Sequence, residues 1–157
     1  MRYVPVVDKN KKPLMPTSNY RANKLIAKGK ALRRFKAGIF YIQLTEREGG
    51  TTQEVAVGID PGSKREAFTI KSEHHTYLNI LSDAVTWVKD SVKTRHEMRR
   101  ARRSRKTPYR QCRWNRKIGT LPPSTGARWG AKLRILNILR YLFPISCFVV
   151  EDINPKP

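Results

Sequence analysis

Acidic residues are scarce in this chain, and cysteines are scarcer still. There are 12 Asp and Glu against 33 Lys and Arg, which gives a formal net charge of +21. The two cysteines, Cys112 and Cys147, are too far apart to indicate a zinc site or a disulfide framework. No apolar run approaches the ~20 residues that span a bilayer, and the first residues do not resemble a signal peptide. We therefore expect a cytoplasmic protein with reduced thiols, with association with the nucleoid as an alternative.

The excess of positive charge indicates a polyanionic partner. Lysine and arginine neutralise phosphate backbones and release condensed counterions. An anionic membrane is the weaker alternative, because a membrane-surface helix needs a wide apolar face and the most basic stretch lacks one. A disordered tail is disfavoured, since 39% of the residues are apolar and 9% are aromatic. The composition predicts one folded, nucleic-acid-binding domain with extensions.

Residues 1–48 predict a small amino-terminal module. Residues 3–7 form an apolar strand, and residues 39–44 alternate as a second strand. Between the two strands, Ser18 is a good N-cap for a helix that Gly29 ends. A polar, glycine-containing linker follows this module, and we place the main domain boundary there.

Residues 49–157 predict a larger α/β domain. Residues 55–60 are typical of a buried strand, and residues 67–71 and 76–81 continue it as an antiparallel meander. Residues 145–150 form a further, strongly apolar strand.

Two helices are predicted between these strands. The first spans about 83–107 and becomes basic on every face beyond Arg95, and the second spans 125–142. Residues 89–117 contain 13 Lys or Arg and only two acids. Such a helix cannot lie in an apolar core, since each unpaired buried charge costs several kcal/mol. A merely solvated helix usually interleaves opposite charges, so phosphates are the better surroundings.

Two acids occupy equivalent places at the ends of apolar strands. Asp60 follows VAVGI, and Glu151 follows ISCFVV. If these strands are parallel neighbours, both carboxylates project into one crevice. Oxygen ligands suit Mg²⁺, and two such ions ~3.5–4 Å apart clamp the attacking and leaving oxygens in phosphodiester hydrolysis. Either acid alone is explained as a strand end meeting solvent, but their pairing in so basic a chain favours Asp60 and Glu151 as catalytic metal ligands.

Short motifs in a fixed order give the chain a family resemblance. They are PLMP at 13–16, GIDPGS at 58–63, RRARR at 99–103 and FVVE at 148–151. The chain resembles the IscB-type RNA-guided nucleases, the RRXRR-domain family, across their PLMP, RuvC-I, bridge-helix and RuvC-II segments.

The resemblance implies a transposon-associated, RuvC-type DNA endonuclease. The fold it implies is α/β: a partial RNase H-like core, a projecting arginine-rich bridge helix and a small PLMP module. The cofactor it implies is a two-metal Mg²⁺ site. The implied partners are a structured guide RNA, held by the bridge helix, and a target DNA that the guide reads by base pairing.

Residues on the bridge helix and its continuation are the candidate nucleic-acid ligands. The cations suit phosphates, and two aromatic side chains suit stacking on unpaired bases. The candidates are Arg95, Arg99, Arg100, Arg102, Arg103, Arg105, Lys106, Tyr109, Arg110, Arg113, Trp114 and Arg116.

The family pattern is incomplete in this sequence. The HNH nuclease and the RuvC-III segment, which supplies a further His and Asp, do not follow Glu151. We expect an incomplete metal site that a carboxy-terminal segment or a second chain completes. The chain is then a fragment, a transposon remnant or a small protein that reuses the RNA-binding half.

The alternative function is a non-catalytic RNA-binding protein derived from such a nuclease. A Holliday-junction resolvase would share GIDPGS but leave the PLMP and RRXRR segments unexplained.

Overall fold

The computed structural model describes residues 3–105, 119 and 121–152. In these ranges eight strands form two mixed four-stranded sheets, and three helices accompany them, so the predicted α/β class is confirmed. By contacts the chain divides into two compact units. The larger unit combines the residues up to Ala84 with those from Arg134 onward, and the smaller unit is Val85–Leu133.

The first sheet is built from the amino-terminal residues. Its strand order is β2-β1-β4-β3, with β1 parallel to β4 and the other pairs antiparallel. One helix packs on one face of this sheet and buries Ala22 against it. The elements are β1 (Tyr3–Val7), β2 (Pro13–Ser18), α1 (Asn19–Ala27), β3 (Ala31–Lys36) and β4 (Ile39–Leu44).

Three of these five elements, β1, α1 and β4, lie where the sequence predicts them. The Ser18 hydroxyl caps α1 by accepting a hydrogen bond from the Arg21 N–H at 3.4 Å. Strand β2, which contains Pro13 and Pro16, lies at the sheet edge, where a missing N–H removes no ladder bond. Strand β3 was not predicted, because its four central residues are exposed and three of its six residues are cationic.

The second sheet has the strand order β7-β6-β5-β8. The predicted antiparallel meander is present, and β8 pairs with β5 in parallel. The arginine-rich helix begins at Val88 rather than near residue 83, because the preceding strand continues to Asp83. The elements are β5 (Ala56–Asp60), β6 (Arg65–Lys71), β7 (Thr76–Asp83), α2 (Val88–Ser104), α3 (Pro123–Leu142) and β8 (Cys147–Val150).

The main core of the larger unit draws on both sheets. Val7 and Tyr41 of the first sheet pack with Phe68 and other residues of the second. They also pack with Leu139 in the last turn of α3 and with Phe143 just after that helix. Fully burying a side chain such as Phe68 contributes about 1.5–3 kcal/mol. The two sheets therefore share one apolar core, and the predicted domain boundary near residue 48 stays a prediction.

The linker between the two sheets is anchored by one buried carboxylate. Asp8 is 1% exposed, and its two oxygens accept hydrogen bonds from the backbone N–H of Lys12 at 2.7 Å and of Gly49 at 3.1 Å. Burial by itself would raise the pKa of Asp8, but the backbone donors outweigh it and lower that pKa. The Asp8 carboxylate therefore ties the β1–β2 turn to the linker.

Among the described helices, none combines the length and the apolarity needed to cross a bilayer.

Candidate functional site

The two predicted acids lie beside each other at the carboxyl ends of parallel strands. Strands β5 and β8 pair from Ala56 with Cys147 to Ile59 with Val150. The Glu151 N–H then donates to the Ile59 carbonyl at 3.0 Å, which carries the pairing one residue further. Asp60 and Glu151 are therefore opposite each other on neighbouring strands, which is the condition that their predicted pairing required.

Both acids lie on the face of the sheet that is turned away from the core. Val57 and Ile59 of β5 are buried, whereas Asp60 is exposed. Side chains alternate along a strand, so Asp60 lies on the opposite face from these two residues. Glu151, exposed and level with Asp60, lies on the same outer face. The pair is open to a ligand from solvent.

The turn after Asp60 explains one glycine of the GIDPGS motif. The Gly62 N–H donates to the Asp60 carbonyl at 3.2 Å, and a Cβ built on Gly62 would collide with the Arg65 carbonyl oxygen. By contrast, a Cβ on Gly58 would lie 3.9 Å from the Thr69 carbonyl oxygen, an ordinary contact. Only Gly62 is required by the path of the chain itself.

Two carboxylates on neighbouring strand ends are a type of ligand set that Mg²⁺ accepts. Magnesium keeps several of its waters and is commonly bound through one or two carboxylates together with phosphate oxygens. A two-metal site needs more protein ligands. In the ranges that the structure describes, no group of three or more His, Cys, Asp or Glu could hold a metal ion. Asp60 and Glu151 are the residues that could contribute to a metal site.

Helix α2, in the smaller unit, is exposed along nearly its whole length. Val88 is its buried residue, and its 17 residues make it about 26 Å long. Its two acids are Asp90, in the first turn, and Glu97, which lies 3.9 Å from the Lys93 ammonium. The predicted arginines that the structure describes are all exposed: Arg95, Arg99, Arg100, Arg102, Arg103 and, just past the helix, Arg105.

Four cationic or titratable side chains of α2 line one cleft of about 430 Å³. They are His96, Arg99, Arg100 and Arg103. Their spacing of three, four and seven residues places them on one helix face. The Arg99 Nε donates to the Arg95 carbonyl at 3.2 Å, which orients its guanidinium along the helix. His96 was not among the predicted ligands, although its helical spacing to the three arginines can be read from the sequence.

The remaining predicted nucleic-acid ligands lie outside the described residues. The proposed stacking on Tyr109 and Trp114 therefore stays a prediction. The six residues are Lys106, Tyr109, Arg110, Arg113, Trp114 and Arg116.

These features define a class: basic α/β proteins with paired carboxylates at parallel strand ends and an exposed arginine-rich helix. The chain belongs to the RRXRR protein family, whose family model matches residues 4–155. The match spans both sheets, both acids and the arginine-rich helix, and it confirms the predicted RRXRR-domain family. No match was found among curated proteins.

Proposed function

We propose that this chain is the guide-RNA-binding, amino-terminal part of an IscB-type, transposon-associated RNA-guided DNA endonuclease. The observation that carries the proposal is helix α2, which exposes its arginines and has only two acids along its length. Membership of the RRXRR family supports it. We further propose that the second sheet is a partial RNase H-like, RuvC-type core and that residues 1–48 are a PLMP module.

The chemistry of α2 suits a structured RNA. Arginine presents a planar fork of donors that matches phosphate oxygens in pairs. The cleft formed by His96, Arg99, Arg100 and Arg103 concentrates such donors on one face, where two neighbouring phosphates of a folded RNA can be held together. A folded RNA brings phosphates close in space, so it fits a cluster of cations better than an extended strand does.

Sequencing the RNA that co-purifies with the chain tests this proposal. The chain is expressed with the DNA that flanks its gene, as wild type and with Arg99, Arg100, Arg102 and Arg103 replaced by Ala. A matched variant loses four exposed cations of the larger unit instead: Lys64, Lys71, Arg134 and Arg140. We expect one structured RNA from the flank, retained by the matched variant and lost by the α2 variant. Heterogeneous RNA, or equal loss in both variants, would contradict guide binding.

For the nuclease half, we propose that Asp60 and Glu151 are Mg²⁺ ligands in a site that a further segment or a second chain completes. Their position opposite each other on parallel strands supports this role. When bound, the metal would stabilise the charge that develops on a phosphodiester during hydrolysis. The two side chains would hold the ion on the outer face of the sheet, where a nucleic-acid backbone has access.

A non-catalytic RNA-binding protein is the second candidate function. The small number of metal ligands favours this candidate. The described residues supply two carboxylates at the strand ends, and a two-metal nuclease needs more. The two candidates differ in a single respect. In the binding protein, replacing Asp60 and Glu151 leaves RNA binding unchanged and no Mg²⁺-dependent cleavage is present to lose. In the nuclease, the same replacements abolish Mg²⁺-dependent cleavage by the completed site.

A further inference from the structure

The first sheet carries a second basic surface, separate from helix α2. Between Asp8 and Glu46 the chain has ten Lys and Arg and no acid. Of these ten, Lys9 alone forms an ion pair with a carboxylate in the described chain, 3.7 Å from Glu48. These cations are therefore not balanced within the fold, and their charge is available to an external anion.

An exposed aromatic ring lies among these cations on strand β3. Phe35 is 71% exposed, and its ring centroid is 5.3 Å from that of Phe40, at an angle of 54°. The two residues are paired across the β3–β4 hairpin, and Phe40 packs against the core beneath α1. Phe40 thus supports Phe35 from one side, while most of the Phe35 ring remains in contact with water.

One cation, Arg33, shares the sheet face of Phe35, and two more lie at the start of the strand. Ala31 is buried under α1, and alternation along β3 places Arg33 and Phe35 on that same face. Lys28 and Lys30 are exposed in the turn that leads into β3. Lys28, Lys30, Arg33, Phe35 and Phe40 are named here the β3 surface, and Lys30 to Phe35 spans roughly 17 Å of extended chain.

Protection of the sheet edge explains only part of this surface. Strand β3 is an edge strand, and charged residues such as Arg33 and Arg34 discourage pairing with another chain. An exposed phenylalanine in the same strand does the opposite, because it adds apolar surface to the edge. The combination of a supported aromatic ring with unpaired cations is instead typical of sites for unpaired nucleic-acid strands.

We propose that the β3 surface binds an unpaired segment of RNA, with one base stacked on Phe35 and the adjoining phosphates neutralised by Arg33, Lys28 and Lys30. The charge selects a polyanion, and the ring selects a strand whose base faces are free, which a duplex does not offer. The surface itself is independent of α2. The choice of RNA over DNA rests on the proposed function, in which RNA is the partner of α2.

Binding of a labelled, unstructured RNA of about 12 nucleotides, measured by fluorescence anisotropy, tests the proposal. Stacking on an aromatic residue contributes about 1–3 kcal/mol per base, so Phe35→Ala should weaken binding roughly 5- to 150-fold. Phe35→Tyr keeps a ring and should bind as the wild type does. Leu32→Ala is the matched control, since Leu32 is 46% exposed on the opposite face of the same strand. Circular dichroism confirms that each variant is folded.

Salt dependence separates the cations from the ring. For single strands the slope of log affinity against log salt is about −0.7 per phosphate neutralised, so Arg33→Gln should make it about 0.7 less steep. Phe35→Ala should leave the slope unchanged, because it removes no charge. Arg34→Gln removes an equal charge on the other face, and its slope should change less than that of Arg33→Gln.

Three results would overturn the inference. The first is that Phe35→Ala binds no more weakly than Leu32→Ala. The second is that Phe35→Ala weakens binding of an RNA duplex as much as it weakens the single strand. The third, equal competition by unlabelled single-stranded DNA of the same sequence, would overturn the choice of RNA.

Repeating the measurement with the four α2 arginines replaced keeps the two proposals apart. A Phe35→Ala effect of the same size in both backgrounds supports an independent β3 surface. If the α2 variant still co-purifies with the flank-encoded RNA, the proposed function fails. That outcome does not depend on the effect of Phe35→Ala on RNA binding.

Discussion

Among single residues, Asp8 is expected to contribute to the stability of the fold, because its carboxylate is buried and hydrogen-bonded. Its carboxylate is 1% exposed and accepts backbone hydrogen bonds from both the β1–β2 turn and the linker. In Asp8→Asn the amide N–H₂ faces at least one backbone N–H, so a buried donor loses its acceptor. We expect a loss of about 1–3 kcal/mol in the free energy of unfolding at neutral pH, measured by urea denaturation. Asp83→Asn, at a side chain 92% exposed, should change it little.

The same carboxylate predicts how stability depends on pH. Because folding lowers the pKa of Asp8 below its ordinary 3.8, the folded state binds this proton less readily than the unfolded state does. The stabilisation from Asp8 is therefore complete above pH 3.8 and is lost as the pH falls through the lower, folded-state pKa. The difference between the wild type and Asp8→Asn should shrink over that acid range. A difference that stays constant there would exclude the ionised carboxylate as its cause.

Two glycines of one motif should respond differently to the same substitution. Gly62→Ala places a Cβ against the Arg65 carbonyl oxygen, and the backbone must move. We expect it to destabilise the fold by about 1–3 kcal/mol, as overpacking does. Gly58→Ala meets only an ordinary contact in a strand, so it should be neutral or stabilise by up to about 1 kcal/mol. Denaturant titration gives the free energy of unfolding of each variant. Equal values for the two variants would contradict the geometry of the turn.

Metal binding should depend on two specific carboxylates. Mn²⁺, which can replace Mg²⁺ and is visible by electron paramagnetic resonance, is titrated into the wild type, Asp60→Asn and Glu151→Gln. Removing one charge beside a divalent ion should weaken binding roughly tenfold or more. Asp152→Asn is the control, because Asp152 is exposed next to Glu151 in sequence but lies one residue beyond the paired position. An effect of Asp152→Asn as large as that of Glu151→Gln would mean that the ion is held only by general negative charge.

At the scale of secondary-structure elements, local patterns predicted some parts of the fold and missed others. Strands β1, β4 and β5 could be predicted because apolar residues dominate them, and α1 because Ser18 and Gly29 mark its ends. Strand β3 could not, because ALRRFK is a strand only through its pairing with the apolar β4. Tertiary pairing outweighed a composition that is neutral between strand and loop.

The candidate site was predictable to a different degree. The sequence shows an acid at the end of each of two apolar strands, but not that the strands are neighbours. The parallel pairing of β5 with β8 connects residues some ninety positions apart, and this is what brings Asp60 and Glu151 together. The sequence places His96 on the basic helix, where it could contact RNA, but a single histidine in a basic run carries too little signal to predict it as a ligand. The structure places it on one helix face with Arg99, Arg100 and Arg103.

At the scale of the whole molecule, the high net positive charge affects the stability of the folded state. The chain has 33 Lys and Arg and 12 Asp and Glu, so like charges repel across its surface. The folded state holds these charges closer together than the unfolded chain does. Repulsion therefore destabilises the folded state. The described ion pairs join exposed side chains 3.7–3.9 Å apart, and such pairs contribute little. Screening by salt should therefore remove more repulsion than attraction.

The melting temperature should consequently rise with salt. The Debye length falls from about 30 Å at 0.01 M to about 10 Å at 0.1 M ionic strength, a range over which repulsion between distant surface charges is screened. Differential scanning fluorimetry across that range should show a rise in Tm for the wild type, and a fall would mean that ion pairs dominate. The α2 variant and the matched variant of the larger unit each remove four positive charges. If repulsion acts over the whole molecule, both should flatten the salt dependence of Tm equally. A change confined to the α2 variant would instead assign the repulsion to that helix, and so to the surface that we propose RNA neutralises.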